Sequence, residues 1–77
     1  MKLLKFYREN CAPCKMLDLV LKDIHQEFYP VDVEKNPDLT AQFNVVTVPT
    51  LIKITKDGVT SKEGFISKED TIKWLQE

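Results

Sequence analysis

Cysteine and histidine are scarce in this chain of 77 residues, with two of the first and one of the second. Cys11 and Cys14 stand three positions apart, so a disulfide between them closes a tiny loop and constrains the unfolded chain very little. That excludes the disulfide-stapled design by which many domains of this size make up for a thin core. A closed zinc site needs four ligands, and two cysteines with one histidine fall short. His25 lies about three helical turns beyond Cys14 on the helix expected there, too far to share an ion. Metal binding by the pair would need a second chain, which is the alternative these residues leave open. Neither a metal nor an organic cofactor is expected.

Charge of one sign is also missing. A net charge of −1 provides no long-range attraction to nucleic acid or to an anionic lipid surface, and neither is expected as a partner. No apolar run approaches a membrane span. The first residues, Met1-Lys2-Leu3-Leu4-Lys5-Phe6-Tyr7, are interrupted by charge and lack a small-residue cleavage site, so no signal peptide is expected. A reducing, cytoplasmic setting follows, where a CxxC is redox-active or metal-binding more often than structural. Internal repeats, low-complexity tracts and linkers are absent. The acids Glu27, Asp32, Glu34 and Asp38 are scattered and form no paired-carboxylate site. Lys62, Lys68 and Lys73 read as solvent charges, and His25 as a polar-face residue.

What is present is an ordinary globular composition, 43% hydrophobic and 30% charged, sized for one domain over residues 1–77; a monomer is expected. Residues 2–7 read as a buried strand. From Pro13 to about Glu27, apolar residues at Met16, Leu17, Val20, Leu21 and Ile24, then Phe28, follow the three-four spacing of an amphipathic helix. Pro13 suits its first turn, where a missing N–H costs no helical bond. Residues 28–33 form a second strand. Asn36-Pro37 signals a short helix carrying Leu39, Ala41 and Phe43 and stopping near Asn44. A strand over Thr50–Thr55, an Asp57-Gly58 turn and a returning strand over 59–66 make a hairpin. Ser67 and Asp70 resemble a capping box before a last helix expected to bury Ile72 and Leu75, with Trp74 at its margin. This order argues for a sheet covered by helices, its first two strands parallel and joined by a right-handed crossover.

The cysteines fall at the start of the first helix. One helical turn sets their Cα atoms roughly 5 Å apart, within disulfide range. Free N–H groups and the positive dipole end favour thiolate at Cys11, which makes it the nucleophile. Cys14, lying deeper, is the resolving thiol that attacks the mixed disulfide.

Cys11-Ala12-Pro13-Cys14-Lys15-Met16 resembles the thioredoxin active-site motif, with Ala where Gly is usual. Val48-Pro49-Thr50 resembles that family's second signature, and Lys56-Asp57-Gly58, Gly64 and Ser67-Lys68 match its spacing. The resemblance covers nearly the whole chain, apart from the additional N-terminal strand and helix of full-length thioredoxins. It implies a minimal thioredoxin fold, βαβαββα, with a four-stranded mixed sheet flanked by three helices. It also implies that Pro49 is cis and that Val48 offers backbone hydrogen bonds to substrate, with Ala12 and Pro13 beside the contact. The implied activity is dithiol–disulfide exchange with protein disulfides, recharged by an upstream thioredoxin reductase or by glutathione.

The sequence departs from that pattern in three places. Lys5 stands where thioredoxins bury an acid six residues before the first cysteine, and is expected to snorkel to the surface. Tyr7 and Asn10 stand where the family has tryptophans. Arg8 and Thr47-Val48-Pro49 resemble glutaredoxin positions able to receive glutathione, which makes a glutaredoxin-like electron donor, serving for instance a ribonucleotide reductase, the alternative. The Gly-Gly and Asp that glutaredoxins place after the last strand are missing. Arg8 and Lys15 are the expected electrostatic tuners of the site.

Overall fold

A computed structural model describes every residue from Met1 to Glu77. Its elements are β1 (Lys2–Tyr7), α1 (Ala12–Asp23), β2 (Tyr29–Asp32), α2 (Pro37–Gln42), β3 (Thr50–Thr55), β4 (Gly58–Glu63) and α3 (Lys68–Gln76). The sheet runs β2-β1-β3-β4. β1 pairs in parallel with β2, Phe6 opposite Val31, and antiparallel with β3, Phe6 opposite Thr50. This is the mixed four-stranded sheet with three helices expected above.

β1 is buried from Leu3 to Phe6 because both its faces are covered. On one face Leu3 and Leu51 pack with Leu17 and Leu21 of α1 and Trp74 of α3. On the other, Leu4, Phe6, Val31 and Ile52 pack with Leu39 and Phe43, whose ring meets Phe6 edge-on at 6.0 Å between centroids. β4 is exposed along its whole length. It forms the sheet edge, and Lys62 and Glu63 on it oppose pairing with another chain.

Several expected boundaries shift for identifiable reasons. α1 ends at Asp23 rather than near Glu27, because His25 turns left-handed (φ 56°). The amides of His25 and Gln26 then reach back to the carbonyls of Lys22 and Leu21, the Schellman closure. Asn44 (φ 55°) closes α2 by the same motif, near the expected end, with the amides of Asn44 and Val45 on Ala41 and Thr40. β2 is shorter than 28–33, and β4 stops at Glu63 because Gly64 (φ 79°) turns the chain away.

Side-chain orientations change too. Met16 is exposed, and α1 buries Cys14, Leu17 and Leu21 instead. α3 is rotated from expectation, with Thr71 and Trp74 buried, Leu75 half-buried and Ile72 out. The indole completes the Leu-rich cluster, and Lys53 Nζ lies 5.0 Å from its ring centroid. Asn36 stands at the start of α2 but does not cap it through its side chain, which donates instead to the Asp32 carbonyl.

Candidate active site

β1 ends at Tyr7, and the chain crosses Arg8, Glu9 and Asn10 to reach α1. Asn10 takes a left-handed conformation (φ 60°), which asparagine tolerates better than most residues and which turns the strand into the helix. Cys11 follows as the N-cap, with extended backbone (φ −110°, ψ 102°), and Pro13 occupies the first turn. Cys11 and Cys14 are joined by a disulfide with their Cα atoms 5.3 Å apart. The Cys14 amide donates to Cys11 Sγ at 3.2 Å. Cys11 therefore fills the capping role usually taken by a serine or aspartate oxygen. No acid stands in the first turn of α1 to offset the helix dipole.

Both cysteines are buried, while Ala12, Pro13 and Lys15 are exposed around them. A cavity of about 330 Å³ opens on the pair, lined by Lys5, Tyr7, Arg8, Glu9, Asn10, Lys15 and Asp18 as well as the cysteines. Three cations and two acids thus line the cavity together with the cysteines.

The Val48-Pro49 bond is cis. Pro49 is buried and Val48 half-buried at the start of β3, beside the end of β1 from which the cysteine loop departs. The Thr50 hydroxyl donates to the Thr47 carbonyl at 2.7 Å, and the Gly64 amide donates to the Pro49 carbonyl at 2.7 Å. A groove of about 270 Å³ is lined by Val45, Val46, Thr47 and Val48 together with Val33, Thr40 and Arg8. Arg8 lines both this groove and the cysteine cavity, so the two adjoin.

The chain is similar to proteins of known identity. A family model described as thioredoxin matches residues 1–77. The thioredoxin of Staphylococcus haemolyticus is 38% identical over 77 residues, covering 90% of this chain and 73% of its own. A prophage-derived thioredoxin-like protein of Bacillus subtilis is 38% identical over 58 residues, 75% of this chain and 72% of that one. The chain belongs to the thioredoxin family. Among solved structures, thioredoxin 1 of Thermosipho africanus superposes with a TM-score of 0.78 at 27% identity, over 99% of this chain and 91% of that one. The oxidised mitochondrial thioredoxin 3 of Saccharomyces cerevisiae gives 0.83 at 22% identity, over 96% and 74%, and supports the fold alone.

As a thioredoxin-family member with a redox-active cysteine pair, the protein is a protein-disulfide oxidoreductase. Family membership implies disulfide substrates and a reductase partner. No cluster of three or more His, Cys, Asp or Glu side chains forms, and no helix is long and apolar enough to cross a membrane.

The expectation for Lys5 is overturned. Its side chain is 2% exposed and its Nζ lies 2.5 Å from Asp18 Oδ1, so it pairs inside the protein instead of snorkelling out. Asp18 escaped notice in the sequence. The available signal was its place four residues after Cys14, one turn along the same helix face. Lys68 is likewise not a free solvent charge, since it pairs with Asp23 at 2.8 Å on the surface.

Proposed function

We propose that the protein is a thioredoxin-like protein-disulfide reductant in which Cys11 attacks and Cys14 resolves. The observation that supports this most directly is the Cys14 amide aimed at Cys11 Sγ. When the disulfide is reduced, that donor and the helix dipole both favour thiolate at Cys11. Cys14 has no equivalent donor and is the more enclosed of the two. Cys11 Sγ attacks a substrate disulfide, one substrate sulfur leaves, and a mixed disulfide forms. Cys14 Sγ then displaces the second sulfur and restores the Cys11–Cys14 bridge, so two electrons pass to the substrate. The backbone edge at Val48 and Pro49, together with the exposed Ala12 and Pro13, receives the substrate segment, while Arg8 and Lys15 tune the sulfurs. The 77 residues act as one monomeric domain in the cytoplasm, with a thioredoxin reductase as electron donor.

Replacing each cysteine tests this. Cys11→Ser is expected to abolish reduction of a protein disulfide, and Cys14→Ser to accumulate a covalent mixed disulfide. Turnover by Cys14→Ser at the wild-type rate would sink the two-cysteine cycle.

A second reading takes glutathione as the donor and the protein as a glutaredoxin-like carrier, for a ribonucleotide reductase for instance. Arg8 beside Thr47 and Val48 in one groove favours it, as a cation placed for a peptide carboxylate. Rates of recharging by a thioredoxin reductase and by glutathione, measured side by side, separate the two.

A further inference from the structure

The ammonium of Lys5 is nearly enclosed, with the rings of Tyr7 and Phe28 at 5.2 and 5.8 Å from Nζ to centroid. A buried lysine is costly unless it is paired. Its partner is Asp18, whose Oδ1 is itself buried and receives no hydrogen bond from any other group. The pair lies between two openings. One is the cysteine cavity, where Arg8, Glu9 and Lys15 are the other charged groups. The other, about 360 Å³, is lined further by Tyr7, Lys22, Phe28 and Pro30, so β2 contributes no charge to it. Asp18 follows Cys14 by one helical turn, and Lys5 and Cys14 are both buried against the same cavity.

We propose that Lys5 is shared, held by Asp18 in the oxidised protein and drawn toward the Cys14 thiolate during the reaction. The ion pair thereby sets the proton affinity of the resolving thiol. The inference rests on the assignment of Cys14 as that thiol. In the mixed disulfide Cys14 loses its proton to solvent, and its thiolate attacks Cys11 Sγ. The bond from Cys11 to the substrate sulfur breaks, and that sulfur leaves with the bonding pair and takes up a proton. A cation in a poorly solvated cleft lowers the cost of the Cys14 thiolate. Asp18 opposes this by its own charge and by holding the cation. Lys5 and Asp18 are thus positioning residues that act on one sulfur in opposite directions.

The test is a pH titration of the reduced protein, followed by carbon NMR at the two cysteine Cβ atoms. Asp18→Asn is expected to lower the Cys14 midpoint and Lys5→Met to raise it, each by about one pH unit, a tenfold change in thiolate fraction. Shifts in the same direction, or none at Cys14, overturn the proposal. Because either single change leaves a partner unpaired and can unfold the protein, the double variant Lys5→Met/Asp18→Asn is measured as well. Its Cys14 midpoint is expected above that of Asp18→Asn; a midpoint equal to it would show that Lys5 has no hold on the thiol. Trapping by Cys14→Ser is scored separately. If trapping persists while the midpoints fail to move, the ion-pair inference alone falls; if trapping fails, the assignment of Cys14 falls with it.

Discussion

The amide of Gly64 donates to the carbonyl of Pro49 at 2.7 Å, tying the chain just after β4 to the cis-proline loop before β3. Gly64 makes this contact with φ at +79°, a conformation that side chains rarely adopt. A Cβ added there meets no atom within 4 Å, so only backbone strain opposes a substitution. Gly64→Ala is therefore expected to cost about 1–2 kcal/mol, read as a lower midpoint in urea unfolding with an unchanged slope. An unchanged midpoint would show that the turn is not held in this conformation.

Lys53 acts as an anchor for α3. It is 4% exposed, and its Nζ donates to the Trp74 carbonyl at 2.6 Å and to the Glu77 carbonyl at 3.1 Å. A cation at these carbonyls also complements the helix dipole. Lys53→Met keeps the aliphatic packing and removes the donor, at an expected cost of about 1.5–3 kcal/mol. Thermal melting should show a fall of roughly 6–24 °C, and amide exchange should quicken first in the last turn of α3.

His25 sits where a helix usually ends in glycine. It is exposed and left-handed, so its side chain contributes little there that would be lost. His25→Gly is expected to stabilise the protein by about 0.5–1 kcal/mol, measured as a higher melting temperature. A fall instead would mean that the imidazole makes a contribution of its own.

The Asp23 carboxyl is held below its ordinary pKa by the hydrogen bond from Lys68 and then by the charge of that ammonium. A depressed carboxyl adds stability above its ordinary range and loses it as pH falls through the depressed value. Both side chains are well exposed, so solvent screens the pair and the melting temperature near neutral pH should barely respond to Lys68→Ala. The sharper readout is an NMR titration, in which Lys68→Ala returns Asp23 toward its ordinary value.

Local pattern made much of this molecule legible. The alternation of strand and helix, the proline in the first turn of α1, the Asn-Pro start of α2 and the Asp-Gly hairpin are short-range signals, and each element formed. The hairpin carries its positive φ at Gly58 alone, at 136°, where the glycine has no side chain to strain. The end of α1 was less legible, because the left-handed residue there is His25, which carries no strong stop signal, whereas Asn44 ends α2 near the expected place.

By itself the sequence determined the chemistry, because two cysteines one helical turn apart at a helix start need only local geometry to become a reactive pair. It also determined the order of the elements and the family resemblance. Only the tertiary structure decided what surrounds those sulfurs. Whether Lys5 faces water or the interior depends on Asp18 arriving from α1, and whether Trp74 is margin or core depends on the space left by Leu3, Leu17, Leu21 and Leu51. A buried charge and a large ring are both placed by partners distant in sequence, and residue spacing along the chain does not record such partners.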